Sequence, residues 1–425
     1  MTSPSKPSSS PFVSLAQSLK RWAAPLFVAL ISSITFSLAT YQVGFVYGQD
    51  FPAHLSWARQ LAENGRVYLP HYTYQQLIVI VRALLPFNAA NLFQDGLATW
   101  LAERSYKIAG LLVIAIFYGL TALILQSRLV SALRAIQWKK AELISVLLTL
   151  SLMLVAPITL FTLSDHRLYL GYIGINVYHN PTITMLKPLA LWLFWAVIAC
   201  LDGEHPRLNI LLLVLLTVSS TLTKPNYSLA LLPVFVPLII FRWIKKKPTQ
   251  WFYLGFGFIL PAVLVLAYQY WYGYYSADVS RVVFAPLREM RYYAPTGLGW
   301  MFLLSILFPL SVLILRFRQV LKNDQGLLIA WGAFLVSAGM TYLLAEEGGR
   351  AYSLNFQWGA QVSLFVIFVH SVLLLIHLWK PAPTETHPQL PRWQKVFLAV
   401  LFGLHLISGI IWYLAEVLQP RQWWY

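Results

Sequence analysis

Charge is what this chain has least of. Only 11% of its 425 residues are Asp, Glu, Lys or Arg, against about a quarter in a soluble domain, which excludes an ordinary solvated surface. Acids are the scarcer sign, 15 against 31 Lys and Arg, for a formal net charge of +16. The basic residues fall between apolar runs, where membrane topology puts them, so nucleic acid is not an expected partner. Cysteine is nearly absent as well. Cys200 stands alone in an apolar run, so no intrachain disulfide can form and the redox compartment leaves no mark. A stretch long enough for a separate soluble domain is also missing.

What remains is apolar: 58% of the residues are hydrophobic and the mean hydropathy is +0.63. Runs near twenty residues mark helices able to cross a bilayer. They lie at 23–45, 106–127, 141–163, 184–201, 209–223, 228–243, 251–271, 298–315, 326–345, 357–379 and 396–416. The expected fold is an all-α polytopic membrane protein of about eleven transmembrane helices. The Ser/Pro-rich start, MTSPSKPSSSPF, makes 1–15 a disordered cytoplasmic N-terminus, and 16–425 a single transmembrane domain. The first run, Trp22 to Val46, exceeds a signal-peptide core and is read as a retained span.

Lysines set the orientation. With the N-terminus cytoplasmic, Lys6, Lys20, Lys139, Lys140, Lys245, Lys246, Lys247, Lys322, Lys380 and Lys395 lie inside, and only Lys107, Lys187 and Lys224 outside. The inner loops are then short and bland, whereas the outer ones are long and mixed. All the unusual polar chemistry faces one side, as when loops build a site on one face of a scaffold. In the first outer loop, Asp50 before Phe51-Pro52 suits a helix start, and Asn64-Gly65 a stop. The helix between would run roughly 20 Å, too short to span. Phe51, Leu55, Ala58 and Ala62 form its apolar stripe; Ser56, Arg59, Gln60 and Glu63 form a polar arc. Asp50, His54 and Trp57 lie on the border, which describes a helix in the membrane interface. Residues 70–86 read as a second such helix.

Four segments carry a resemblance: QDFPAHLSWARQLAENG…YLPHYTYQQL, YLGYIGINVYHNPTITMLKP, TKPNYSLALLP and EEGGRAYSLNFQWG. With the overall layout they resemble the GT-C superfamily of integral-membrane glycosyltransferases, the later segments looking like those of bacterial members without a known substrate. The resemblance implies a site facing away from the cytoplasm of a plasma (inner) membrane. It implies transfer of a sugar from a polyprenyl-phosphate donor to an extracytoplasmic glycan, lipid or protein acceptor, with membrane lipids as surroundings. Some members hold a metal on a paired Asp-x-Asp. The first loop here offers only Asp50, between Gln49 and Phe51, so no cofactor is expected and a divalent metal is not favoured.

Such chemistry needs a base for the acceptor hydroxyl, cations for the departing phosphate and groups that seat the sugar. Asp50 is the candidate base, or only a helix cap; His54, one turn on, orients it, touches the sugar, or is a packed histidine. Lys224, where Pro225 and Asn226 break the helix, is a phosphate ligand or a lysine snorkelling near helix carbonyls. Arg350, after Gly348-Gly349, is a second phosphate candidate. Glu346 and Glu347 pair with it, or one serves the acceptor. Asp165, His179, Asn180 and His71 complete the substrate-binding set, Asn180 before Pro181 also suiting an N-cap. Four outer histidines raise zinc, but no two share a helix at ligand spacing with a third ligand. Two other readings stay open. A lipid-linked glycan polymerase or ligase would use Arg281, Arg288 and Arg291. A transporter or flippase would need ionisable residues at span centres, where only His370 and His405 qualify, or proline breaks such as Pro233, Pro237 and Pro261.

Overall fold

The computed structural model describes residues 11–46, 50–66, 69–85, 96–159, 167–204, 209–273, 281–379 and 390–418. Helix α1 (Pro11–Thr40) opens within the stretch expected to be disordered, so 11–15 belong to it; a proline in the first turn loses no helical hydrogen bond there. A π-helical segment (Tyr41–Val46) leads towards two short helices, α2 (Asp50–Asn64) and α3 (Thr73–Leu84). The long α4 (Gly96–Ala135) packs against α1, α2 and α3.

There follow α5 (Ala141–Leu154), α6 (Pro181–Leu201), α7 (Ile210–Thr223), α8 (Asn226–Ile244), and a π-helical turn running into α9 (Leu260–Trp271). The short α10 (Arg288–Tyr293) precedes α11 (Leu298–Asn323), α12 (Gln325–Leu343), α13 (Gln357–Trp379) and α14 (Arg392–Leu418). Among the described residues nine helices are long and apolar enough to cross a membrane. The chain is an all-α, multi-pass membrane protein.

Three details depart from the expected layout. The span expected at 141–163 stops at Leu154, and α5 and α7, at 14 residues each, run about 21 Å at ~1.5 Å per residue, short of a ~30 Å hydrocarbon core. The cause at Leu154 is local and tertiary together. Pro157 cannot donate to a helix and biases Ala156 to extended backbone. Ala156 instead exchanges two bonds with α14: its N–H reaches His405 O at 3.1 Å, and its carbonyl meets His405 Nδ1 at 2.7 Å. The third departure is an antiparallel ribbon, β1 (Arg281–Phe284) on β2 (Leu344–Glu347), with Arg281 opposite Glu347 and Phe284 opposite Leu344.

Burial sorts core from periphery. α6 and α13 are buried along most of their length. α1 buries Val28, Ser32, Phe36 and Ala39 on one face and exposes Leu26, Leu30, Ile34 and Leu38 on another. Both faces follow the helical period, and the exposed apolar one is the surface lipid covers. The helices define two ends. One collects α2, α3, the start of α6, the α7–α8 junction and the start of α13. At the other, Arg134 meets Glu142, His370 meets Asp324, and Lys395 meets Trp379 O; Lys140 precedes α5 and Lys245 follows α8 at this second end.

Candidate functional site

Asp50 is the first residue of α2, and its position follows from packing beneath it. Phe51 is fully buried, its ring seated on Gly44, where any Cβ would overlap it. Phe51, His54 and Ala58 form the buried face of α2, while Arg59 and Glu63 pair in solvent at 2.9 Å. Ala62, expected on the apolar stripe, is exposed. α3 locks the pair from the other side: Tyr74 Oη donates to Gly110 O at 3.1 Å, on a stretch of α4 where a side chain at Gly110 would crowd that hydroxyl.

Asn180 uses both ends of its amide. Oδ1 accepts from Ile183 N–H at 3.2 Å, capping α6 before Pro181, and Nδ2 donates to Asp50 Oδ2 at 2.8 Å. The cap fixes which end is oxygen, so the donor facing Asp50 is assigned by chemistry. Thr182 Oγ1 donates to the same Oδ1 at 2.7 Å and accepts from Lys224 Nζ at 3.1 Å. The four groups form a one-way chain, Lys224 to Thr182 to Asn180 to Asp50, every donor pointing towards the carboxylate. Bonds aligned this way polarise one another in the same sense.

Lys224 closes α7 in extended backbone, and Pro225 and Asn226 open α8. Its ammonium does not snorkel: the side chain is 6% exposed, with Nζ 4.6 Å from the centroid of the Trp358 ring. Of its three N–H donors, one is spent on Thr182, and among the described residues the others have no hydrogen-bond acceptor. Burial pulls its pKa down to about 8, while the Asp50 carboxylate pulls the other way.

Histidines surround this chain in neutral form. His54 Nδ1 accepts from Gln75 Nε2 at 2.7 Å, and the ring stands edge-on to Trp57 and Tyr74. Burial, with Lys224 and His71 adding to it, lowers His54 to about 3. His71 falls to about 3 through burial, Lys224 and Arg350. His179, between Tyr169 and Trp358, falls to about 4 because burial outweighs Asp50.

The structure thus brings Asp50, Asn180 and Lys224 into one bonded chain, with His54, His71, His179 and Arg350 in the same electrostatic neighbourhood. Arg350 also donates to Gly273 O at 3.2 Å and lies 4.0 Å from Glu346, which is buried. Glu347 is not in this group: it pairs with Arg288 at 3.1 Å on the ribbon. Asp165 and His166 lie outside the described residues. Gln75, Thr182 and Trp358 belong to the site and were not singled out from sequence. Among the described residues no three His, Cys, Asp or Glu side chains gather as a metal-holding set. No protein-family model matches the chain, and no curated protein or solved structure matches it either.

Proposed function

We propose that the chain is a membrane glycosyltransferase that moves a sugar from a polyprenyl-phosphate donor to an acceptor hydroxyl at the Asp50 end. The observation that carries this reading is Lys224: a buried ammonium with unspent donors asks for an anion, and a carboxylate stands two hydrogen-bonding groups away. In the proposed step Asp50 takes the proton of the acceptor hydroxyl as its oxygen bonds to the anomeric carbon. The bond from that carbon to the phosphate oxygen breaks, and its electron pair leaves with the polyprenyl phosphate. Lys224, with Arg350 nearby, meets the charge that grows on the leaving phosphate, which is where a fixed cation lowers a barrier most. In this reading a lipid-borne donor enters beside the short α2 and α3. In this reading the lysine-bearing end is cytoplasmic and the Asp50 end faces out of a plasma (inner) membrane. The polymerase or ligase alternative draws less support, because Arg288 is occupied by Glu347 and the Glu346 carbonyl.

The test is mass spectrometry of envelope glycans and glycolipids from cells lacking the gene, complemented with wild type or Asp50→Asn at matched protein level. A sugar increment should disappear without the gene and return with wild type. With Asp50→Asn it should stay reduced by roughly 10²-fold, the scale of losing a positioned base. Full restoration by Asp50→Asn would overturn the catalytic role of Asp50, and an unchanged glycan profile without the gene would overturn the transferase reading.

A further inference from the structure

Lys187 places an ammonium inside a helix long and apolar enough to span. It follows the Asn180 cap of α6 by about 10 Å along the axis, at ~1.5 Å per residue, and it is buried. An ionisable residue at such a position is costly without polar partners or water. The structure gives it one hydrogen bond, from Nζ to Asn176 Oδ1 at 2.6 Å. The orientation of that amide is fixed, because Asn176 Nδ2 donates to Leu152 O at 3.1 Å and Val155 O at 2.8 Å, where α5 ends. One flank of the ammonium faces the Phe365 ring, with Nζ 4.8 Å from the centroid. Among the described residues Lys187 has no ion pair and no second acceptor, although an ammonium carries three donors.

Beside Lys187 lies a cavity of about 10 Å³, walled by α4, α5, α6, α13 and the segment Asn176–Tyr178. A cavity of that size has room for one water-sized guest. Two hydroxyls in its wall define what the guest must do. Tyr178 is buried, and its oxygen has no hydrogen-bond partner among the described residues. Thr121 donates its hydrogen to Phe117 O at 2.8 Å, so its oxygen can only accept. Lys187 can only donate, and Tyr178 can do either. An anion could not donate to Thr121, and Lys187 would repel a cation. Water can do both, and a buried water makes about three such bonds.

We propose that this cavity binds a single internal water, which accepts from Lys187 Nζ, donates to Thr121 Oγ1 and bonds Tyr178 Oη. That water joins α4 to α6 and hydrates an ammonium that would otherwise sit under-bonded in the membrane domain. None of these groups has a part in the proposed transfer of sugar, so the two readings stand or fall separately.

Solid-state NMR of the full-length protein in phosphatidylcholine liposomes, with isotope-labelled lysine side chains, tests it by following magnetisation passed from water to Nζ. The Lys187 signal, identified by its loss in Lys187→Met, should build up from water although the residue is buried. In Thr121→Ile the longer apolar side chain fills the cavity, and the build-up at Lys187 should be lost. No build-up in the wild type, or an undiminished one in Thr121→Ile, overturns the proposal. If Thr121→Ile does not fold, a crystal structure of the wild-type protein grown in bromide decides. Density within hydrogen-bond reach of Lys187, Thr121 and Tyr178, with no anomalous signal, is the expected result. No density there overturns the proposal, and so does a bromide signal, which would assign the cavity to an anion.

Discussion

Asn180→Asp changes one hydrogen-bond donor into an acceptor and leaves size nearly untouched. The α6 cap survives, because Asp caps as well as Asn, and Thr182 and Ile183 still donate to a carboxylate oxygen. Only the atom 2.8 Å from Asp50 Oδ2 changes sign. Two carboxylate charges about 4 Å apart repel by about 4 kcal/mol at an effective dielectric constant of about 20. That corresponds to about 3 pKa units, less whatever Lys224 offsets from the far side of Thr182. Such a pair shares a proton and titrates as a unit. The acid limb of the transfer rate should therefore move up by as much as about 3 pH units.

Asn180→Ala is the control. It adds no charge and should leave the acid limb near its wild-type position. It removes the cap at a cost of about 1 kcal/mol, visible as a lower melting temperature in detergent. The assay is transfer against pH for both variants, each with a thermal melt. A wild-type profile in Asn180→Asp, with stability intact, would refute the claim that the carboxylate at Asn180's amide is the working base.

Three further outcomes follow from the geometry of this end of the molecule. Lys224 has a pKa of about 8, so the rate should fall above that pH as the ammonium is lost; Lys224→Arg should remove this limb, and a limb that persists assigns it elsewhere. Stability moves the other way: the folded lysine binds its proton less tightly than the unfolded one at 10.5, so between these values the unfolded chain holds more protons and stability rises with pH. A melt that falls over that window would contradict the burial of Lys224. Gly44→Ala would drive a Cβ into the Phe51 ring at about 1–3 kcal/mol, and, by shifting the start of α2, should slow transfer by up to about 10²-fold. Normal transfer in a folded Gly44→Ala protein would show that α2 tolerates the shift.

The apolar runs were legible because a bilayer demands them whatever the tertiary contacts are. Where the reading of 141–163 failed, Pro157 was a local sign of an early helix end, but the bonds that hold Ala156 to His405, 249 residues away, are encoded by no local pattern. The ribbon was missed for the same reason, since RVVF becomes a strand only against Leu344–Glu347. Seen as a strand, that second segment would have separated its two acids. Successive side chains alternate faces, and Glu346 is buried beside Arg350 while Glu347 is exposed beside Arg288. Asp50, Asn180 and Lys224 could be singled out because each is a polar group at a helix end in an apolar chain. Thr182 could not. Nothing marks a threonine in the first turn of a helix until Asn180 and Lys224 are both known to touch it.

That threonine matters to what the two charges can do. A direct pair between Asp50 and Lys224 would satisfy both and spoil both. The carboxylate would be a weaker base beside a contacting cation, and the ammonium would spend on it the donors a phosphate needs. With Asn180 and Thr182 interposed, the charges still feel each other, as the upward pull of Asp50 on Lys224 shows, yet neither neutralises the other. A donor sequence running one way from ammonium to carboxylate holds them at a fixed separation without a salt bridge. In the proposed reaction, a sugar carrying a phosphate at one side and meeting a hydroxyl at the other calls for opposite charges that are held apart. That interposed pair supports the proposed transfer chemistry more than either charged residue does alone.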